Sequence, residues 1–193
     1  YKRSGDTFTK LTNPTTLPTN TAYGAAFSPD GTYLAVAHNA SPYITIYKRS
    51  GDVFTKLTDP STLPKGNAYG AAFSPDGTYL AVAHTTSPYI TIYKRSGDTF
   101  TKLTNPTTLP ASNGTGAAFS PNGTYLAVAH DASPFITIYK SDVYDSIQKI
   151  TTKNQYFYFS LSEWKFGVAM ETVAAGKIGK VVLFPKIYNM SVS

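Results

Sequence analysis

One stretch of this chain is written three times. Ala25 to His38 reads AAFSPDGTYLAVAH, the same wording returns from Ala71 to His84, and it comes back from Ala117 to His130 with Asn122 in place of the aspartate. The register runs wider than that stretch. Tyr1, Tyr47, Tyr93 and Tyr139 each open a Tyr-Lys pair, so the period is 46 residues. Such a chain has little choice of fold, because a unit this short cannot bury its own apolar face and must stack on the next copy.

Within one unit, Tyr23 to Ser28 is a short apolar run that stops at Ser28-Pro29-Asp30-Gly31, where Pro, Asp and Gly supply the dihedrals of a tight turn. Tyr33-Leu34-Ala35-Val36-Ala37-His38 reads as the returning strand and leads to a loop at Asn39-Ala40-Ser41-Pro42. Tyr43-Ile44-Thr45-Ile46-Tyr47 then alternates with β-branched residues at period two, the signature of a third strand. A turn at Ser50-Gly51-Asp52 precedes a fourth strand over Phe54 to Thr58, and a Pro-rich link runs from Asp59-Pro60 to Leu63-Pro64. Helix is excluded, since Gly, Pro and Thr recur every few residues and no spacing of 3.6 survives two turns. The repeat region is all β, each unit a four-stranded antiparallel meander.

Four-stranded units of this length are the blades of β-propellers. Gly24-Ala25-Ala26-Phe27-Ser28-Pro29-Asp30-Gly31, followed by Tyr33-Leu34-Ala35 and Ile44-Thr45-Ile46-Tyr47, resembles the first three strands of a WD-repeat blade. The likeness covers residues 1–139. It departs from the family where Tyr47-Lys48 stands in place of the Trp-Asp pair and where the Gly-His before the first strand is missing. The near-identical copies, with SPYITIYKRSGD and FTKL, also resemble propeller repeats in virion proteins of bacteriophages and prophages. The domain reading is blades over 1–139 (repeats 1–46, 47–92 and 93–138) and a small β module over 140–193. In that module Tyr156 to Phe159 is aromatic, and Phe166 to Glu171 and Gly176 to Phe184 read as strand, Gly-rich turn, strand. Its wording is similar to terminal β modules of phage structural proteins.

Three blades are too few for a closed ring, which takes roughly four to eight. Tyr1 to Thr12 reads as the end of a third strand and a fourth strand, whereas 116–139 supplies three strands without a fourth. The expectation is that Phe8 to Leu11 completes the last blade of another copy, giving six blades from two chains or nine from three. The alternative makes Asp142-Val143-Tyr144-Asp145-Ser146-Ile147 a fourth strand in place, with the chain a piece of a longer propeller. An opening at Tyr1, without Met and inside a repeat, reads as a processed chain or a fragment.

Composition narrows the function classes. The net charge of +6 is scattered and interleaved with acids, which is not the block pattern of a nucleic-acid arm. No run reaches the roughly 18 to 20 apolar residues of a membrane span. Cysteine is absent, so neither disulfides nor thiolate metal sites are available.

The copies differ mainly in two windows. Thr19-Asn20-Thr21-Ala22, Lys65-Gly66-Asn67-Ala68 and Ala111-Ser112-Asn113-Gly114 precede the first strand, and Asn39-Ala40, Thr85-Thr86 and Asp131-Ala132 follow the second. In a meander both windows emerge at the same end. Thr19, Asn20, Thr21, Asn39, Lys65, Gly66, Asn67, Thr85, Thr86, Ser112, Asn113 and Asp131 are therefore the candidate binding-face residues, with drift in exposed loops as the plain alternative. His38, His84 and His130, one per blade, are read as strand-end structural residues rather than ligands of a shared metal. Asp30 and Asp76 are read as turn formers, because Asn122 fills the same slot and an amide cannot act as a general base. Lys48, Arg49, Lys94 and Arg95 are read as solvated charges, and Tyr23, Tyr43, Tyr69 and Tyr89 as packing between blades rather than sugar platforms.

No Ser-His-Asp order, phosphate loop, zinc spacing or carboxylate pair is present, so the expectation is a non-enzymatic protein without cofactor or metal. The resemblance implies a virion or extracellular structural or adhesion protein, its loops directed at a host-surface glycan or protein and its C-terminal module attached to other virion proteins. A cellular interaction scaffold, a glycan-binding lectin and a degenerate hydrolase are the alternatives.

Overall fold

Small and β-branched residues alternating between Pro-Asp-Gly and Ser-Gly-Asp turns leave no room for anything but short paired strands, and those strands form. The structure, a computed structural model, describes residues 1–141 and the two short strands β14 (Val168–Met170) and β15 (Val181–Leu183), which pair antiparallel. The chain divides into two units, Tyr1–Ser141 and Asp142–Ser193. Most of the predicted C-terminal module, Tyr156 to Phe159 and the candidate strand at Asp142 to Ile147 lie outside the described residues.

The first unit opens with the hairpin β1 (Lys2–Ser4) and β2 (Thr7–Thr9), which forms a two-stranded sheet by itself. Blade one follows as β3 (Ala22–Phe27), β4 (Tyr33–His38), β5 (Ile44–Ser50) and β6 (Val53–Lys56), hydrogen-bonded in that order. Blade two repeats it with β7 (Ala68–Phe73), β8 (Tyr79–His84), β9 (Ile90–Ser96) and β10 (Thr99–Lys102). Blade three has β11 (Gly114–Phe119), β12 (Tyr125–His130) and β13 (Ile136–Lys140), and no fourth strand among the described residues. The fold is therefore all β, in four-stranded propeller blades. The third strand starts one residue later than the sequence predicts and runs on to Ser50, because Gly51 takes a φ of 58° and makes the turn tight enough for pairing on both sides.

Blades stack through opposite faces. Tyr33, Ala35, Ala37, Ile44 and Ile46 of blade one meet Ala68, Leu80, Val82, Tyr93 and Phe100 of blade two in one buried cluster. The pattern repeats one blade on, where Ala81, Ala83 and Ile90 meet Leu126 and Val128. Period-two alternation makes this possible, since it gives each sheet two apolar faces of different shape. The inner strands β3, β7 and β11 come together at two glycines. A side chain on Gly24 would strike the Tyr69 carbonyl oxygen at 2.6 Å, and one on Gly70 would meet Gly116 Cα at 2.9 Å.

The far ends of the blades are tied by polar contacts. Asp30 accepts from the Ser28 hydroxyl and from Thr32 N at 3.0 Å, and these bonds hold its carboxyl at about 2. Asn122 makes the same pair of bonds, from Ser120 Oγ at 2.7 Å and Thr124 N at 3.1 Å, as its reading as a turn former requires. The basic residues are more than solvated charges. Lys48 Nζ lies 2.8 Å from Asp98, Arg49 Nε donates to the Gly31 carbonyl at 2.7 Å, and Arg95 sits 4.8 Å from the centre of the Tyr33 ring. At the opposite end of the strands His38, His84 and His130 are buried, each beside a threonine one strand over: Thr45 at 3.0 Å, Thr91 at 2.9 Å and Thr137 at 3.1 Å. Burial pushes His84 down to about 4, against an opposing pull from the Thr86 backbone.

Candidate functional site

The two variable windows meet. In each blade the segment leading into the inner strand lies against the loop between second and third strands, since both leave the sheet at the same end. Asn39 N donates to the Thr21 carbonyl at 3.2 Å and Thr85 N to the Asn67 carbonyl at 3.0 Å. In blade three, side chains bridge the same two positions, Asn113 Nδ2 donating to Asp131 Oδ2 at 3.0 Å. Thr19 Oγ1 donates to the Ser41 carbonyl at 3.0 Å and stands 3.4 Å from His38 Nδ1, while Asn20 Oδ1 accepts from Thr21 N at 2.7 Å. Hydrogen bonds from Ser112 and Asn113 hold the Asp131 carboxyl below its ordinary value. Lys65 is exposed at this end.

Bulk is exchanged between the windows. Gly66 has a φ of +116°, and a Cβ there would fall 2.5 Å from Thr86 Oγ1 and 2.8 Å from Thr85 Oγ1. Where Asn20 and Ser112 occupy the glycine position, the facing position is Ala40 or Ala132 instead of Thr86. Each blade thus carries its own matched set of loop side chains on a nearly constant sheet, whose inner strand departs at Gly114 and Thr115 of blade three.

Two features of this end were not legible as site features. The first is a β-bulge at Tyr23, Tyr69 and Thr115, where the pairing register slips between Ala22 and Gly24, Ala68 and Gly70, and Gly114 and Gly116. A bulge re-aims the side chain it carries. Tyr23 and Tyr69 here face one another between blades, ring centres 4.8 Å apart, as their reading as packing residues implies. Tyr23 nonetheless stays half exposed, and Asn39 Nδ2 reaches its hydroxyl at 3.5 Å. The second is the backbone at Tyr43, Tyr89 and Phe135, with φ values of 65°, 65° and 67°. A left-handed conformation is costly for an aromatic residue, and no composition signal announces it.

Chemically the variable windows offer hydroxyls, amides and tyrosine faces, with an ammonium at Lys65 and a carboxylate at Asp131. No group of three or more His, Asp or Glu that could hold a metal occurs among the described residues.

No family model and no curated protein matches the chain. Among solved structures, a protein from Bacteroides fragilis assigned as a 6-phosphogluconolactonase is similar at 20% identity and a TM-score of 0.57, over 67% of this chain and 37% of its own. The hydrazine synthase of Kuenenia stuttgartiensis is similar at 17% identity and a TM-score of 0.51, over 62% and 34%. The periplasmic gluconolactonase of Pseudomonas aeruginosa is similar at 16% and 0.50, over 64% and 40%. The chain thus spans little more than a third of the length of these proteins, and at such identity the likeness shows the β-propeller fold.

These neighbours correct one expectation and leave another without support. Proteins named as lactonases carry this fold, so the reading of the chain as a non-enzyme does not stand. The physical reason is that a propeller can assemble a site from single residues on several blades, which leaves no contiguous motif to find. The likeness to phage virion proteins has no counterpart among these neighbours. What they share with the chain is the scaffold.

Proposed function

We propose that this chain is a propeller scaffold whose loop-bearing end binds a neutral, hydroxyl-rich ligand such as a surface glycan. The observation that supports this is the coupling of the two variable windows: the copies keep the scaffold nearly constant and change matched sets of Thr, Asn, Ser and Gly where the windows touch. Side-chain hydroxyls and amides beside a half-exposed Tyr23 suit a sugar, whose hydroxyl edge takes hydrogen bonds while its C–H face lies on an aromatic ring. Display toward a host surface, as in a virion or extracellular adhesin, is one setting for such a face.

A glycan array probed with the full chain tests the reading. Binding is expected to be lost in Tyr23→Ala and reduced in Asn39→Ala, while Asp52→Ala, at the opposite end of the blades, binds as the parent does. An array without hits, or equal binding by all three variants, removes the loop-bearing end as a glycan site. A second reading takes its support from the neighbours' names, namely hydrolysis of a sugar lactone at the same end. Release of acid from 6-phosphogluconolactone above the uncatalysed rate would favour it.

A further inference from the structure

The tyrosine series on the inner strands is broken at its third member. Tyr23, Tyr69 and Thr115 hold the same bulged position of β3, β7 and β11, between the residues where the pairing register slips. Across the boundary of blades one and two, the Tyr23 and Tyr69 rings stand 4.8 Å apart at an angle of 57°. The same step across the next boundary leads from Tyr69 to Thr115, where the repeat would place another phenol ring and the chain has a small hydroxyl residue. Among the described residues Tyr69 has no second ring contact, Thr115 is exposed, and neither side-chain hydroxyl has a hydrogen-bond partner.

The two blades cannot close over this gap by moving together, because their backbones already touch on either side of it. A side chain on Gly70 would meet Gly116 Cα at 2.9 Å, one residue beyond Thr115. One residue before it, a side chain on Gly114 would strike the Tyr89 carbonyl of blade two and come within 3.2 Å of His84 N. Blades one and two carry alanine at the Gly114 position, as Ala22 and Ala68. Glycine and threonine at 114 and 115 thus act together, one seating the strand against blade two and the other leaving a ring-sized place beside Tyr69.

The chemistry around that place is mixed in the way a sugar needs. Tyr69 gives an aromatic face for the C–H side of a pyranose ring, and the Tyr69 and Thr115 hydroxyls are free to bond its polar edge. The adjoining window of blade three adds an amide and a carboxylate, held to each other where Asn113 Nδ2 donates to Asp131 at 3.0 Å. The 4.8 Å step from ring to ring is also close to the rise of one sugar unit along a glycan chain.

We propose that the place of the absent third ring is a second sugar subsite, so that the ligand of the loop-bearing end is an oligosaccharide, with one unit at Tyr23 and another between Tyr69 and Thr115. This rests on the glycan reading and adds to it the size and direction of the ligand. Thr115 is then a specificity residue: it admits a chain where a third tyrosine would admit only a single unit.

A glycan array carrying neutral monosaccharides beside the oligosaccharides built from them tests this with the full chain, Thr115→Tyr and Thr115→Ala. Far-ultraviolet circular dichroism checks the fold, and Thr115→Tyr is expected to keep the β signal because tyrosine is the wording of the other two copies. The parent is expected to bind chains about tenfold tighter than their single units, the share of one aromatic platform. Thr115→Tyr is expected to lose that advantage and keep the affinity for single units, and Thr115→Ala to weaken chain binding about threefold, the share of one hydrogen bond. Equal binding of chains and single units by the parent overturns the subsite and leaves the glycan reading standing, as does a folded Thr115→Tyr that still prefers chains. An array without hits removes the glycan reading and the subsite with it.

Discussion

Blades two and three are nearly the same sentence of sequence in two different surroundings. In blade two both faces are covered, by blade one on one side and blade three on the other, and Leu80, Val82, Ile90 and Tyr93 are all buried. In blade three the same wording buries Leu126 and Val128 but leaves Ile136 and Ile138 at the surface. The difference is therefore in the neighbour. In a repeat protein a residue's energetic weight is set by the interface it enters, and an identical residue at an open interface has almost none.

The comparison is broken most severely at the inner strands. Gly70→Val drives a side chain into the Gly116 backbone and is expected to abolish cooperative unfolding or cost about 3 kcal/mol, whereas Gly116→Val leaves the unfolding midpoint of the single chain unchanged. Urea titrations of the two variants give the answer directly. Next in size is the isoleucine pair. Ile90→Ala removes a side chain packed on blade three and is expected to cost about 3 kcal/mol, against less than about 1 kcal/mol for Ile136→Ala under the same conditions.

Histidine sharpens the comparison through pH. His84 is neutral in the folded chain down to about 4, while an unfolded histidine takes up its proton near 6.5. Its contribution is therefore complete above about 6.5 and falls as pH drops from there toward about 4, by about 3 kcal/mol at most. Stability measured by denaturant between those values is expected to decline in the parent and to flatten in His84→Gln. Asp30 acts in a separate and lower window. Its carboxyl is held at about 2, so the stability it adds is present above the ordinary value of 3.8 and is lost only as pH falls below that. The smallest effect is at this turn: Asp30→Asn is expected to change the thermal midpoint by less than the error, because Asn122 already makes both bonds in blade three, whereas Asp30→Ala loses them at about 1 kcal/mol.

The fold could be read from the chain because each signal was local. Pro29-Asp30-Gly31 and Ser50-Gly51-Asp52 set the turns, and the alternation in Tyr43 to Tyr47 set a strand with two apolar faces. The placement of both variable windows at one end also followed from counting strands. The site was harder. Tyr23 and Tyr69 face one another between blades at positions where the pairing slips, and a bulge is a slip between two strands that neither strand announces alone. The work done by Lys48, Arg49 and Arg95 was hidden for a related reason, since their partners Asp98, Gly31 and Tyr33 are reached only when turns or blades come side by side.

The sequence by itself determined the unit: four strands, their turns, an antiparallel order and a 46-residue repeat, all fixed by backbone preference and period-two patterning within a few residues. The tertiary structure decided what the unit's faces do. The contact of Gly24 with Gly70 and of Gly70 with Gly116, the covered Ile90 beside the open Ile136, and the steric match of Gly66 with Thr85 and Thr86 all depend on distances between strands far apart in the chain. Identical words cannot encode such differences. They arise because burial and close approach belong to pairs of surfaces, and a surface has a partner only once the chain has folded.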